Sequence, residues 1–208
     1  KKAEKKGEKP KKVKPKWKIK EYDHGVFGEM KQNLDVASDG QSILYPKYRF
    51  GQHQSLQFGI WKLDIESKKK ELLTPHMRAN YPQYSPDGSK IVFVAHENST
   101  TQLYTMNADG SDIKPLTMNQ GDTQIITPMW HPDGKAIAFA QSDPDGLMDL
   151  HIMDLETGRV SQITDSHEGD FAPIWHPDGK KISYTGLYDY TPNLYTHDLE
   201  TGETIQNT

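Results

Sequence analysis

The chain has 208 residues, a net charge of −4, 34% hydrophobic and 26% charged residues, and a mean hydropathy of −0.83. That length accommodates one large domain or two small ones, and ten Tyr and four Trp can build a core, which argues against disorder of the whole chain. No window approaches 18 apolar residues, which excludes a membrane-spanning helix, and the absence of Cys excludes disulfides, thiolate metal sites and cysteine nucleophiles.

The mean charge hides a split. Residues 1–20 hold eleven Lys and two Glu, a net of +9, and the other 188 residues hold 14 basic and 27 acidic residues, a net of −13. Lys self-repulsion together with Pro10 and Pro15 marks residues 1–25 as a basic tail or linker. A solvated linker is the plain reading, a patch for an anionic lipid, nucleic acid or cell-wall polymer the functional one. Trp17 and Ile19 are placed to anchor its end. The chain starts at Lys1 rather than Met, which suggests a processed chain or a section of a longer one.

From about residue 26 the sequence repeats itself. Ser85-Pro86-Asp87-Gly88 returns as His131-Pro132-Asp133-Gly134 and His176-Pro177-Asp178-Gly179, with a weaker copy at Ala37-Ser38-Asp39-Gly40. The glycines lie 48, 46 and 45 residues apart. A second anchor follows each copy: Trp61-Lys62-Leu63-Asp64, Tyr104-Thr105-Met106-Asn107, His151-Ile152-Met153-Asp154 and Tyr195-Thr196-His197-Asp198. A Thr closes each unit, at Thr74, Thr117, Thr164 and Thr208. The units are therefore 26–74, 75–117, 118–164 and 165–208. A period of 40–50 residues means a solenoid, an array or a propeller.

Each unit reads as four short strands. The first ends at Val36, Tyr84, Trp130 or Trp175, before a turn in which Asp bonds its own backbone and Gly accepts positive φ. In the second strand Ile43/Tyr45, Ile91/Phe93, Ile137/Phe139 and Ile182/Tyr184 fall on one face. The third strand ends at the Asp or Asn of the second anchor, a Gly-containing turn follows, and the fourth strand ends near the closing Thr. No 12-residue window shows helical periodicity, and turns every 20 or so residues exclude a two-helix repeat. The expectation is an all-β protein, a β-propeller of four-stranded antiparallel blades, with four blades in these residues. Tyr84, Trp130, Trp175, Phe93 and Phe139 are expected to fill the space between blades. Asp39, Gly40, Asp87, Gly88, Asp133, Gly134, Asp178 and Gly179 are read as structural turn residues.

The segments "YPQYSPDGSKIVFVA" (81–95) and "LYTMNADGSDIKPLT" (103–117) resemble the repeat of TolB-like β-propellers. The copies at 127–164 and 172–208 match nearly as well, and the first departs from the pattern at Val36 and Ser38, as a terminal blade does. The resemblance implies a non-enzymatic propeller that binds or scaffolds other proteins of a bacterial envelope complex, in the periplasm. TolB-like rings have six blades, so it also implies that these four belong to a larger ring with further blades or domains of the same parent chain. The contrasting implication is the N-terminal gating propeller of a prolyl-oligopeptidase-like serine peptidase, with its catalytic domain outside these residues. A carbohydrate-binding or lyase-type propeller would need acidic and aromatic residues, or a metal, at its central channel.

Candidate chemistry is sparse. No Gly-x-Ser-x-Gly elbow, His-Glu-x-x-His or phosphate loop appears, so no catalytic residue and no cofactor is assigned. His131 and His176 hold equivalent places in successive blades, too far apart to share an ion, and are expected to support their turns. His197 takes the slot of Met106 and Met153 and is expected to be half-buried. Asp143, Asp145 and Asp149 faintly resemble a calcium loop but lack the bidentate Glu, and read as a polar hairpin. A body of net −13 speaks against nucleic-acid binding. In an antiparallel blade successive loops alternate between the two faces of the disc. The Asp-Gly turns share one face; the loops between second and third strands and those between blades share the other. The latter vary between copies, as binding loops do. Candidate partner-binding residues are Tyr48, Arg49, Phe50, His53 and Phe58, then His76, Arg78, His167 and Asp170, then Tyr188 and Tyr190, with Arg49, Phe50 and Tyr190 as anchors.

Overall fold

A computed structural model describes residues 34–50, 56–189 and 191–208. The basic tail, including Trp17 and Ile19, lies outside the described residues. Among the described residues, sixteen strands form four antiparallel sheets of four, each built from consecutive strands. The first blade holds β1 (Asp35–Val36), β2 (Ser42–Phe50), β3 (Leu56–Asp64) and β4 (Lys70–Leu72). The second holds β5 (Arg78–Tyr84), β6 (Lys90–Glu97), β7 (Thr100–Asn107) and β8 (Lys114–Pro115). The third holds β9 (Ile125–Trp130), β10 (Ala136–Ser142), β11 (Met148–Asp154) and β12 (Val160–Gln162). The fourth holds β13 (Asp170–Trp175), β14 (Lys181–Tyr188), β15 (Thr191–Asp198) and β16 (Thr204–Gln206). Among the described residues no helix is long and apolar enough to cross a membrane.

Alternation in the second and third strands creates the seams. Side chains of period two point to opposite sheet faces, so one strand serves two neighbours. In β6, Ile91 and Phe93 pack with Leu44 and Ile60 of the first blade, while Val92 and Val94 pack with Ile137 and Phe139 of the third. In β10, Ala138 and Ala140 turn the other way, onto Ile182, Tyr184 and Trp175 of the fourth. Phe93 and Phe139 have no exposed surface, and each fully buried ring of this kind contributes about 1.5–3 kcal/mol. Tyr84 and Phe93 lie in the first of these clusters, Trp130 and Phe139 in the second, and Trp175 in the third. The Trp130 and Trp175 indoles also donate to the Gln83 and Met129 carbonyls of the preceding blade, at 3.3 and 3.2 Å.

The closing Thr of each unit has a physical job. Its hydroxyl accepts the backbone N–H of a third-strand residue fourteen positions earlier: Ile60 N to Thr74, Leu103 N to Thr117, Leu150 N to Thr164 and Leu194 N to Thr208, all at 2.9 or 3.0 Å. The bond ties the chain leaving each blade to its own third strand and gives that strand's backbone N–H an acceptor.

The turns repeat a second device. The carboxylates of Asp39, Asp87, Asp133 and Asp178 each accept the backbone N–H two residues on, at Gln41, Ser89, Lys135 and Lys180, over 2.8–3.0 Å. Ser85 also donates its hydroxyl to Asp87 at 2.6 Å, and that bond leads the set holding the Asp87 carboxyl down at about 2. The two histidines differ. His131 bonds Asp133 at 2.6 Å and the Gly179 carbonyl of the next blade at 3.1 Å, edge-on to Trp175. His176 leaves its turn and bonds Ser183 at 3.0 Å. His197 is half-buried. Gly179 is required twice, for its φ of +72° and because a Cβ there would strike the His131 ring.

Candidate functional site

Alternation of loops gives the disc two unlike faces. The Asp-Gly turns form one, called here the turn face. The loop face carries the β2–β3, β6–β7, β10–β11 and β14–β15 connections and the segments between blades. Its elements bond to one another: Gln124 donates to Ser99 O at 2.8 Å, and Asn119 to Gln141 at 3.4 Å. A cleft of about 640 Å³ opens there between residues 120–124 and the hairpin after β10. Gln124, Gln141, Gln162, Asp122, Asp143 and His151 are among its lining residues. Amides and carboxylates line it together with Pro144 and Met148, and burial lowers the pKa of the His151 imidazole.

The inner strands carry a feature that the sequence reading missed. Tyr81, Thr127 and Ala172 have φ of 53, 49 and 55°, each directly before a proline, and β5, β9 and β13 shift register there. Proline disfavours the right-handed helical region for its predecessor, and a left-handed non-glycine residue costs of order 1–3 kcal/mol. The three dipeptides border an axial cleft of about 320 Å³, together with Leu34, Asp35 and Ile174. The signal was present as Pro82, Pro128 and Pro173, each two residues before the first-strand aromatic.

The candidate partner residues scatter in role. Tyr48 and Phe58 are half-buried and stack on each other, with centroids 3.9 Å apart. Arg49 is half-buried over Gly59 and donates to the Met77 carbonyl at 3.3 Å. It takes over a clamp that side chains supply in the next two blades. There Gln102 accepts Asn119 N at 2.8 Å and Asp149 accepts Ser166 N at 2.9 Å. Phe50 is 77% exposed. His76, Arg78 and His167 are exposed, and Tyr188 is half-buried. Asp170 has no exposed surface, so it stands behind the loop face instead of on it. His53 and Tyr190 lie outside the described residues. Met118, 85% exposed on the segment after the second blade, was not singled out; its one sequence signal is an apolar side chain just past a closing Thr.

The three acids of the hairpin do not converge. Asp143 accepts Leu147 N at 2.8 Å, Asp145 is exposed, and Asp149 is buried against the segment that follows the third blade. Among the described residues no three His, Cys, Asp or Glu side chains gather as a metal-ligand set.

Four contiguous four-stranded sheets packed face to face around an axial cleft define β-propeller architecture. No protein-family model matches the chain. It is 34% identical over 93 residues to the Tol-Pal system protein TolB of Anaeromyxobacter dehalogenans, covering 44% of this chain and 20% of that protein. It is 32% identical over 88 residues to the uncharacterized peptidase YuxL of Bacillus subtilis, covering 40% of this chain and 13% of that one. The match thus spans about a fifth of the length of the TolB relative. Among solved structures, TolB from Acinetobacter baumannii aligns with a TM-score of 0.69 at 24% identity, over 85% of this chain and 43% of that one. A protein described as a TolB from Agrobacterium tumefaciens aligns at 0.70 and 22%, over 84% and 63%. The β-propeller domain of the trilobed protease from Pyrococcus furiosus aligns at 0.60 and 15%, over 85% and 56%. At these identities the structural likeness is one of fold. The repeats of this chain are TolB-like β-propeller blades.

Proposed function

We propose that this chain is a non-enzymatic propeller segment that binds or scaffolds other proteins in the periplasm of a bacterial envelope, through its loop face. One observation carries the reading. The two most exposed large apolar side chains among the described residues, Met118 at 85% and Phe50 at 77%, both stand on the loop face. Exposed apolar side chains on irregular loops, held by a rigid scaffold, are what a protein interface uses. The TolB relative, a component named for the Tol-Pal system, supports the compartment and the kind of partner. Further blades of the parent chain belong to the same proposal. The first blade carries Ile43, Tyr45 and Trp61 in the places that Ile91, Phe93 and Tyr104 use against a preceding blade. Leu194 of the fourth blade is 40% exposed where Leu103 and Leu150 are fully covered by a following one.

The test is photo-cross-linking in bacteria that export the chain. A photoreactive residue at Met118 or Phe50 is expected to give protein adducts, and one at Asp133 on the turn face is not. Adducts from Asp133 alone would overturn the assignment. A second reading, the gating propeller of a serine peptidase, is favoured by the likeness to YuxL and to the trilobed protease. It requires a hydrolase domain elsewhere in the parent chain, which the sequence of the complete gene decides.

A further inference from the structure

Beneath the loop face, at the seam of the third and fourth blades, lies a buried pair of carboxyl groups. Asp149 of β11 is 2% exposed and Asp170, which opens β13, is 0% exposed. The two are supplied unequally. Asp149 accepts Ser166 N at 2.9 Å, Gln162 Nε2 at 3.2 Å and Thr164 Oγ1 at 3.5 Å. Neither oxygen of Asp170 receives a hydrogen bond of normal length and angle, although the hydroxyls of Thr164, Ser166 and Tyr188 lie near enough to ease a charge there. The donors of the cluster are thus spent on Asp149. A charge on Asp170, in the same dry cluster, is opposed chiefly by desolvation and also by Asp149.

The surroundings leave no escape. Gly186 faces Asp170 across the β13–β14 ladder, and a Cβ at Gly186 would lie 2.9 Å from Asp170 Oδ1 and 2.5 Å from the Tyr188 ring. The carboxyl and that ring fill the space the glycine leaves. The titratable groups facing Asp170 are Asp149 from β11, with His151, whose pKa burial lowers, beyond it, and Tyr184 and Tyr188 from β14. Tyr195 of β15 stands edge-on to Tyr188 at 4.7 Å. From residues 163–169 come the Thr164 and Ser166 hydroxyls; Asp165 and His167 are exposed and Glu168 is half-buried. β9 and β10, also packed on β13, carry no titratable side chain. No cation is among these groups.

We propose that Asp170 is a proton latch for the loop face: protonated, it holds residues 163–169 and Tyr188 onto the seam, and its ionisation loosens both. The proposal rests on the loop face being the binding surface, since the latch controls His167 and Tyr188 there. Burial, chiefly, raises the Asp170 carboxyl to about 6. A folded-state value above the unfolded value near 3.8 means that the folded state holds the proton longer. The seam is therefore tightest below about pH 4, weakens as pH rises from about 4 to 6, and stays weak above that.

Hydrogen exchange on the full chain tests this with no partner present, so its failure is distinct from failure of the binding proposal. The amides read are Gly169, bonded to Ser166 Oγ at 2.9 Å, and Leu187, bonded to Gly169 O at 3.0 Å. Corrected for intrinsic rates, their opening is expected to increase several-fold, at most about tenfold per pH unit, between pH 4 and 6 and then to level off. Asp170→Asn is expected to flatten that profile. Asp170→Ile, which places the residue found at the equivalent Ile125, serves should the amide variant fail to fold. A pH-independent opening in the wild type, or the same profile in a folded variant, overturns the latch.

Discussion

The turn face and the loop face are made by the same four blades, yet they treat their carboxylates in opposite ways. On the turn face Asp87, Asp109, Asp133 and Asp154 sit in solvent and Asp198 is half-buried; all have hydrogen-bond donors aimed at them, and each is held below the ordinary carboxylate range. Behind the loop face Asp170 is dry, lacks aligned donors and is pushed up. Acid therefore acts with opposite sign on the two sides. It removes the turn bonds as pH falls from about 4 towards 2, through the depressed value of Asp87, and it relieves Asp170 as pH falls from about 6 towards 4. A repeated sequence builds a repeated turn; the difference between the faces arises where the copies stop repeating.

The largest effect comes from breaking what both faces stand on. Phe139→Ala, at a ring with no exposed surface between the second and third blades, is expected to cost about 3–5 kcal/mol in a urea unfolding titration. A loss under about 1 kcal/mol would mean that the seam repacks. Thr117→Val comes next. It leaves the Leu103 N–H and the Gln102 Oε1 acceptor without the buried hydroxyl, a loss of about 1–3 kcal/mol. Thr208→Val, the same bond at an exposed position, is expected to change stability by less than about 0.5 kcal/mol. Equal effects at the two sites would show that the bond works independently of burial.

Smaller effects sharpen the contrast between faces. Asp87→Asn weakens its turn, and the difference from wild type is expected to shrink to a small part of its pH 7 size at pH 2, where the wild-type carboxyl is half protonated; unfolding midpoints at pH 2 and pH 7 measure it. A difference that persists unchanged at pH 2 would show that the carboxylate charge is irrelevant to the turn. The smallest change in stability is expected for Met118→Ser, within about 0.5 kcal/mol, because the side chain packs on little. Its effect should appear instead as lost cross-links or weaker partner binding. Stability lost without any change in binding would return Met118 to the scaffold.

The sequence by itself determined the blades. Three anchors in phase over four copies located the strands, the Asp-Gly turns and the closing Thr, because each obeys a local rule: period-two alternation, side-chain bonds to nearby backbone, and left-handed glycine. It also placed Tyr84, Trp130 and Trp175 at the seams. Tertiary structure decided the rest, since it depends on what neighbouring blades bring together. Arg49 read as an exposed anchor, but Gly59 leaves a gap on the adjoining strand and the guanidinium fills it. Asp170 read as a surface acid in a variable loop, yet the turn of the chain into β13 carries it beneath Tyr188. Ala79 and Ile125 occupy the same place in the preceding blades, which shows that the position is apolar by geometry and that the charge there is the exception. The bend at Tyr81, Thr127 and Ala172 was written in three X-Pro pairs, but only the packed inner strands show why the backbone tolerates it. A local motif fixes a turn wherever it occurs, whereas burial belongs to a position only after the next blade has arrived.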